Sequence, residues 1–224
     1  MNNRERKMLD ILKRGRDEFG YVSVKAEFEA EGTRIDELLR LVELTRRANL
    51  EVTVKIGGCE AIRDLLESRQ IGVRYIVAPM VETPYALSKY VAAKNTVYLE
   101  EERSDTDFLF NIETFTGFDN REALAKQAIV PNGVQGMVFG RVDYSGSLGM
   151  SRDSINDDRV TNDILTVARL CKSTGLDLVV GGGVSKDSIS CLKRIAEVHL
   201  TRFVQHCSRH IYASASRYTC PAPT

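Results

Sequence analysis

Short apolar runs alternate with helix-like stretches along nearly the whole of this chain, and no other feature restricts its fold as much. The runs are VSVKAEF (22–28), EVTVKI (51–56), RYIVAPM (74–80), NTVYLE (95–100), FLFNIET (108–114), GMVFGRVD (136–143), LDLVVGGGV (176–184) and TRFVQH (201–206). Each is strand-sized and bounded by turn signals, as strands of a parallel sheet buried on both faces are. Helical periodicity fills the gaps. The stretch 34–49 carries Ile35, Leu38, Leu39, Val42 and Leu44 on or near one face, and 60–70, 84–93, 120–127, 157–174 and 186–197 follow. Gly175 is placed to end the 157–174 helix. Eight strands with intervening helices predict an α/β fold, a (β/α)₈ TIM barrel. A doubly wound open sheet would need a glycine-rich phosphate loop after the first strand, where KAEFEAEGT stands instead.

The 224 residues fall below the ~250 typical of a full barrel. EERSDTD, between the fourth and fifth runs, is too short for a normal helix, and SASRYTCPAPT reads as a polar tail. The expectation is one TIM-barrel domain over 1–210, a loose tail over 211–224, and a truncated C-terminal end that lacks the eighth helix. Apolar strand surface left bare by a missing helix predicts a homo-oligomer.

Thirty-one basic residues balance thirty-one acidic ones, so no electrostatic footprint for nucleic acid or an anionic membrane follows. The apolar runs are too short to span a bilayer. The first twenty residues are too charged for a secretory signal and read as an amphipathic helix burying Met8, Leu9 and Leu12, with Phe19 a further candidate. Five scattered cysteines (Cys59, Cys171, Cys191, Cys207, Cys220) without CxxC spacing predict reduced thiols and a cytoplasmic protein. His206 and His210 are spaced for a metal pair on a helix, but the segment reads as a strand running into a tail.

Chemistry concentrates at strand ends. Glu113 closes one apolar run and Asp143 the next. Catalytic groups of barrels sit at the C-terminal ends of strands, and two rigidly held carboxylates suit a hard divalent cation such as Mg²⁺ or Mn²⁺. A capping or salt-bridging pair is the plain alternative. Inward parity adds Lys25, Glu27 and Glu29 from the first strand and Lys55 from the second, and such charges must pair to be tolerated. Gly57 and Gly58, Pro79, Ser145 and Ser147 lie in the neighbouring turns as candidate substrate contacts. Gly181, Gly182 and Gly183 suit either an anion site or tight strand-to-helix packing.

IVAPMVET, NIET and GMVFGRVDYSGSLG together resemble the HpcH/HpaI aldolase and citrate lyase beta-subunit family over roughly residues 50–185. The resemblance implies a (β/α)₈ barrel binding Mg²⁺ (or Mn²⁺/Co²⁺) through Glu113 and Asp143. It also implies reversible carbon–carbon cleavage by way of a pyruvate-like enolate. Where the family has an arginine on strand two, this chain has Lys55. The family's histidine after strand one has no counterpart, its supporting aspartate falls at Gln70 or, with a shifted alignment, Glu67, and the amide before the metal-binding glutamate is Asn111. Proton transfer then falls to Glu27, Glu29, Lys25 or metal-bound water. The resulting expectation is a metal-dependent, class II aldolase-like carbon–carbon lyase acting on a small 2-oxo acid or related carboxylate. A Schiff-base aldolase using Lys25 or Lys55, and a non-catalytic metal- and ligand-binding barrel, are the alternatives.

Overall fold

Two local signals bracket the first helix. The Asn2 side chain accepts the Glu5 backbone N–H while the Glu5 carboxylate accepts that of Asn2, and Gly20, at φ 68°, ends α1 (Asn3–Phe19) in the left-handed conformation. Leu9 and Leu12 are buried and Met8 half-buried, while Phe19 is exposed. The computed structural model describes residues 1–204 and the backbone of residues 205 and 211–214.

From α1 the chain alternates strand and helix through β1 (Tyr21–Glu27), α2 (Ile35–Arg47), β2 (Glu51–Lys55), α3 (Ile62–Ile71), β3 (Tyr75–Ala78) and α4 (Pro84–Val97). The single turn α5 (Glu100–Arg103) leads to β4 (Asp107–Ile112), α6 (Phe115–Asp119), α7 (Arg121–Ala128) and β5 (Gly136–Gly140). Then follow α8 (Arg141–Ser147), a 3₁₀ turn (Arg152–Asn156), α9 (Asp158–Thr174), β6 (Asp177–Val184), a second 3₁₀ turn (Lys186–Ser188), α10 (Ile189–Val198), β7 (Arg202–Gln205) and β8 (Ile211–Ser214). Strands β1 to β7 lie side by side in chain order, every adjacent pair parallel. Strand β8 runs antiparallel to β7 and β1 and closes the ring. The architecture is a TIM-like α/β barrel of seven parallel strands, with an antiparallel strand in the eighth place.

Three expectations change. Residues 95–100 are not a strand: α4 runs on to Val97, because Val91, Lys94 and Val97 continue its buried face, and Tyr98 packs edge-on against Phe108 at 4.9 Å. Asp143 does not end a strand, since the chain turns at Gly140 directly into α8 and leaves Asp143 in its first turn. Residues 211–214, read as the start of a tail, form β8. Cys207, Cys220, His206 and His210 lie outside the described residues.

Strand alternation sorts the core into two layers. Val77, Leu109, Val138, Val179 and Val204 fill the barrel interior, while Ile76, Phe108, Phe110, Met137, Phe139, Leu178 and Val180 face the helices. Burial of each such side chain contributes about 1.5–3 kcal/mol. The inward parity of β4 continues from Leu109 to Asn111 and then Glu113, so the interior turns polar at its C-terminal end.

Lys94 is a buried charge of a different kind. Its ammonium donates to the Asn132 carbonyl at 2.8 Å and to the Asn95 side chain at 2.9 Å, and it lies 4.8 Å from the Phe108 ring centroid, with no carboxylate paired to it among the described residues. Burial, and then the nearby Arg103 charge, push its pKa down to about 8, below the ~10.4 of an unfolded chain. Between those values the unfolded state binds more protons, so stability rises with pH. Urea denaturation at about pH 7 and about pH 10 should show the wild type gaining stability with pH relative to Lys94→Met. Identical pH profiles would show that folding does not disfavour the ammonium.

Candidate active site at the C-terminal rim

Glu113 follows the last residue of β4. Just beyond it, the Thr114 hydroxyl accepts the Gly117 N–H at 3.1 Å and starts α6, which holds the preceding carboxylate in place. The Glu113 side chain is buried. Its Oε1 accepts the Met80 N–H at 2.9 Å and its Oε2 accepts the Asn111 amide at 2.8 Å. Lys55 Nζ stands 3.8 Å from Oε2. Across the strand pair, a Cβ on Gly140 would lie 2.8 Å from the Glu113 Cβ and 2.9 Å from Oε2, so only glycine leaves the carboxylate its room. Burial raises the pKa of Glu113 and the Asp143 charge adds to it. Lys55 and the two hydrogen bonds oppose the rise without cancelling it.

Two lysines complete the charged ring. Lys55 Nζ pairs with Glu29 Oε2 at 2.7 Å, and Lys25 pairs with Glu27. Burial alone would depress the pKa of Lys55, but Glu113, Glu29 and Glu27 outweigh it and hold it above the ordinary lysine value. Lys55 is therefore cationic at neutral pH.

These groups share one cavity of about 220 Å³ at the C-terminal ends of the strands. Lys25, Glu27, Lys55, Asn111, Glu113 and Asp143 all line it, as do Gly181, Gly182 and Gly183. Gly57, Pro79, Ser145 and Ser147 are not part of the lining. The Gly57 N–H is taken by Asp64 at 2.7 Å, and the Ser147 hydroxyl joins the Tyr144 carbonyl to the Phe115 N–H. Ser145 is buried, with no hydrogen-bond partner for its hydroxyl among the described residues. Arg152 also lines the cavity. Nothing in the sequence marks it, because an arginine in a polar turn has no period or motif.

The donor set suits a divalent cation. Glu113 and the exposed Asp143 present two carboxylates to the same space, and the Asn111 Oδ1 is a buried acceptor without a hydrogen-bond partner. All three are hard oxygen donors. No cluster of three or more His, Cys, Asp or Glu side chains with metal-site geometry occurs among the described residues. No described helix is long and apolar enough to cross a membrane.

Comparison with known proteins gives one family match and several matches of fold. Residues 22–198 match the HpcH/HpaI aldolase/citrate lyase family. Among solved structures, the barrel is similar to an HpcH/HpaI aldolase from Desulfitobacterium hafniense DCB-2 (16% identity, TM-score 0.68, 86% of this chain and 80% of that one). It is also similar to the citrate synthase SbnG (20%, 0.69, 88% and 80%) and to macrophomate synthase (16%, 0.65, 89% and 75%). No curated protein sequence matches the chain.

The cavity wall contributed by β6 depends on close backbone packing. Gly182 has φ +81°, and a Cβ there would lie 2.7 Å from the Val142 nitrogen and 2.8 Å from that of Arg141. Gly181 has ordinary room, its nearest neighbours being Val204 side-chain atoms at 3.6 Å. Gly182→Ala should lose more than the ~1–2 kcal/mol of a left-handed alanine, and Gly181→Ala distinctly less, in chemical denaturation. Equal losses would mean that β6 can shift away from α8.

Proposed function

Because the chain belongs to the HpcH/HpaI aldolase/citrate lyase family, we propose that it is a metal-dependent lyase that makes or breaks a carbon–carbon bond at the carbon next to the carbonyl of a small 2-oxo acid, by way of its enolate. The observation that carries this reading is the meeting of Glu113, Asp143 and cationic Lys55 in one cavity at the C-terminal rim. Glu113 and Asp143 would hold the cation, with the Asn111 Oδ1 beside them. A divalent ion bound there supplies Lewis acidity toward the substrate carbonyl.

The side chains divide the remaining work. Lys55, kept protonated by Glu113, Glu29 and Glu27, faces the cavity as a fixed positive charge and stabilises the negative charge that develops on the carbonyl oxygen. The same protonation argues against Lys55 as a Schiff-base nucleophile, which must be neutral to attack. Glu27 lines the cavity in contact with Lys25 and is the group proposed to move the proton at the carbon next to the carbonyl. The Gly181–Gly183 backbone admits the substrate closely along the opposite wall.

Two measurements test the reading. Calorimetric titration with Mn²⁺ should show Glu113→Gln and Asp143→Asn losing at least the ~10–100-fold in affinity that changes just outside a metal's ligands cause. Unchanged affinity in both variants would remove the metal from the proposal. Deuterium exchange into the methyl group of pyruvate, followed by NMR with Mg²⁺ or Mn²⁺, should proceed in the wild type. It should fall by about 10²–10³ in Lys55→Met without a loss of metal affinity. Exchange at the wild-type rate in Lys55→Met would make the lysine structural. No exchange by the wild type over a panel of 2-oxo acids would favour a binding barrel over an enzyme.

A further inference from the structure

Three cations line the cavity, and two of them are matched within it. Lys25 pairs with Glu27, and Lys55 with Glu29 and Glu113. Arg152 makes no ion pair or side-chain hydrogen bond among the described residues, yet it lines the same space. Its surroundings are fixed. The turn Arg152–Asn156 is tied at its far end by Arg141, a fully buried guanidinium that donates to the Asn156 Oδ1 at 2.8 Å. Arg141 also donates to the Gly181 carbonyl at 3.1 Å, the Gly182 carbonyl at 2.9 Å and the Ser188 hydroxyl at 3.2 Å. Within the turn, Ile155 is buried with its Cδ1 only 2.7 Å from where a Cβ on Gly183 would stand. Arg152 is therefore an unmatched cation on a turn pinned to the cavity wall.

We propose that Arg152 is the specificity-determining residue of this cavity, receiving a second anionic group, a carboxylate or a phosphate, at the end of the substrate remote from the reacting carbonyl. The inference rests on the lyase reading above and adds the substrate class. A guanidinium offers a planar fork that matches carboxylate or phosphate oxygens two at a time. Asp143 and Arg152 lie on one continuous stretch, α8 and the turn after it, and both face the cavity. At about 220 Å³ the cavity is smaller than the ~300–1,000 Å³ of pockets for larger ligands, so a short acid spans it from the Glu113 end to the rim.

Binding measured calorimetrically with Mn²⁺ present decides the matter, using acids that differ only at the far end. The pairs are oxaloacetate with 2-oxobutyrate, 2-oxoglutarate with 2-oxopentanoate, 2-oxoadipate with 2-oxohexanoate, and 2-oxo-3-deoxy-6-phosphogluconate with 2-oxo-3-deoxygluconate. The wild type should prefer the more highly charged member of at least one pair, the diacid pairs and the phosphate pair separating the two sources of charge. In Arg152→Ala that preference should shrink about ten- to hundred-fold, the loss expected for a charge-assisted contact, and Arg152→Lys should keep part of it. A preference in no pair, or one unchanged in Arg152→Ala, overturns the proposal. An unchanged preference with weakened Mn²⁺ affinity would instead make Arg152 a partner of Asp143. Proton exchange by the same acids is read separately, so its absence would count against the lyase reading while the binding ratio still decides the role of Arg152.

Discussion

A buried carboxylate needs partners, and Glu113 gathers its own from the ends of neighbouring strands. Lys55 comes from the end of β2, the Met80 N–H from just beyond β3, Asn111 from β4, and the space from Gly140 at the end of β5. Met80 supplies its N–H from a left-handed backbone at φ 48°, which costs a non-glycine residue about 1–2 kcal/mol. Strain of this kind persists where surrounding contacts over-determine it, and here the contact is the carboxylate itself. Remove Glu113 and the other features lose their reason: the strained Met80, the missing side chain at residue 140, and a lysine inside the barrel mouth.

Charge balance keeps Lys55 cationic where it stands. An ammonium is a compact point charge whose protonation depends on its neighbours, whereas a guanidinium stays charged almost anywhere. Glu29 at 2.7 Å and Glu113 at 3.8 Å hold Lys55 in its charged form despite burial. The three carboxylates around it thus fix its role as a cation, and a change at Glu29 or Glu27 would act on Lys55 before it acted on any substrate.

Much of this was legible in the chain because it is local. Apolar runs marked the seven parallel strands, Gly175 marked the end of α9, and strand parity aligned Lys25, Lys55 and Glu113 on one side of the sheet. The strand expected at 95–100 rests on the short apolar run Val97, Tyr98 and Leu99, but Val97 continues the buried helix face of Val91 and Lys94, and the chain leaves the helix only at Tyr98. Asp143 lines the same cavity as Glu113 from the first turn of α8 rather than from a strand end, because nothing local distinguishes a strand that ends at Gly140 from one that runs three residues on. Arg141 was invisible for a deeper reason: the Gly181, Gly182 and Ser188 groups that satisfy it lie 40, 41 and 47 residues away.

Arg141 also separates two jobs that one loop might otherwise have to share. A fully buried guanidinium paired with no carboxylate among the described residues is tolerated because four acceptors take four of its five N–H donors, and two of them are carbonyls of the glycine wall. That arrangement locks β6, the start of α8 and the turn bearing Arg152 into one unit. In the proposed function the reacting end of the cavity is the one built on strand ends around Glu113, where a shift of any one partner disturbs the rest. The far end is read by one exposed side chain on a turn whose backbone Arg141 already holds. Residue 152 can therefore change what the cavity selects while the carboxylates, Lys55 and the glycine wall stay where they are, so specificity here is tunable independently of chemistry.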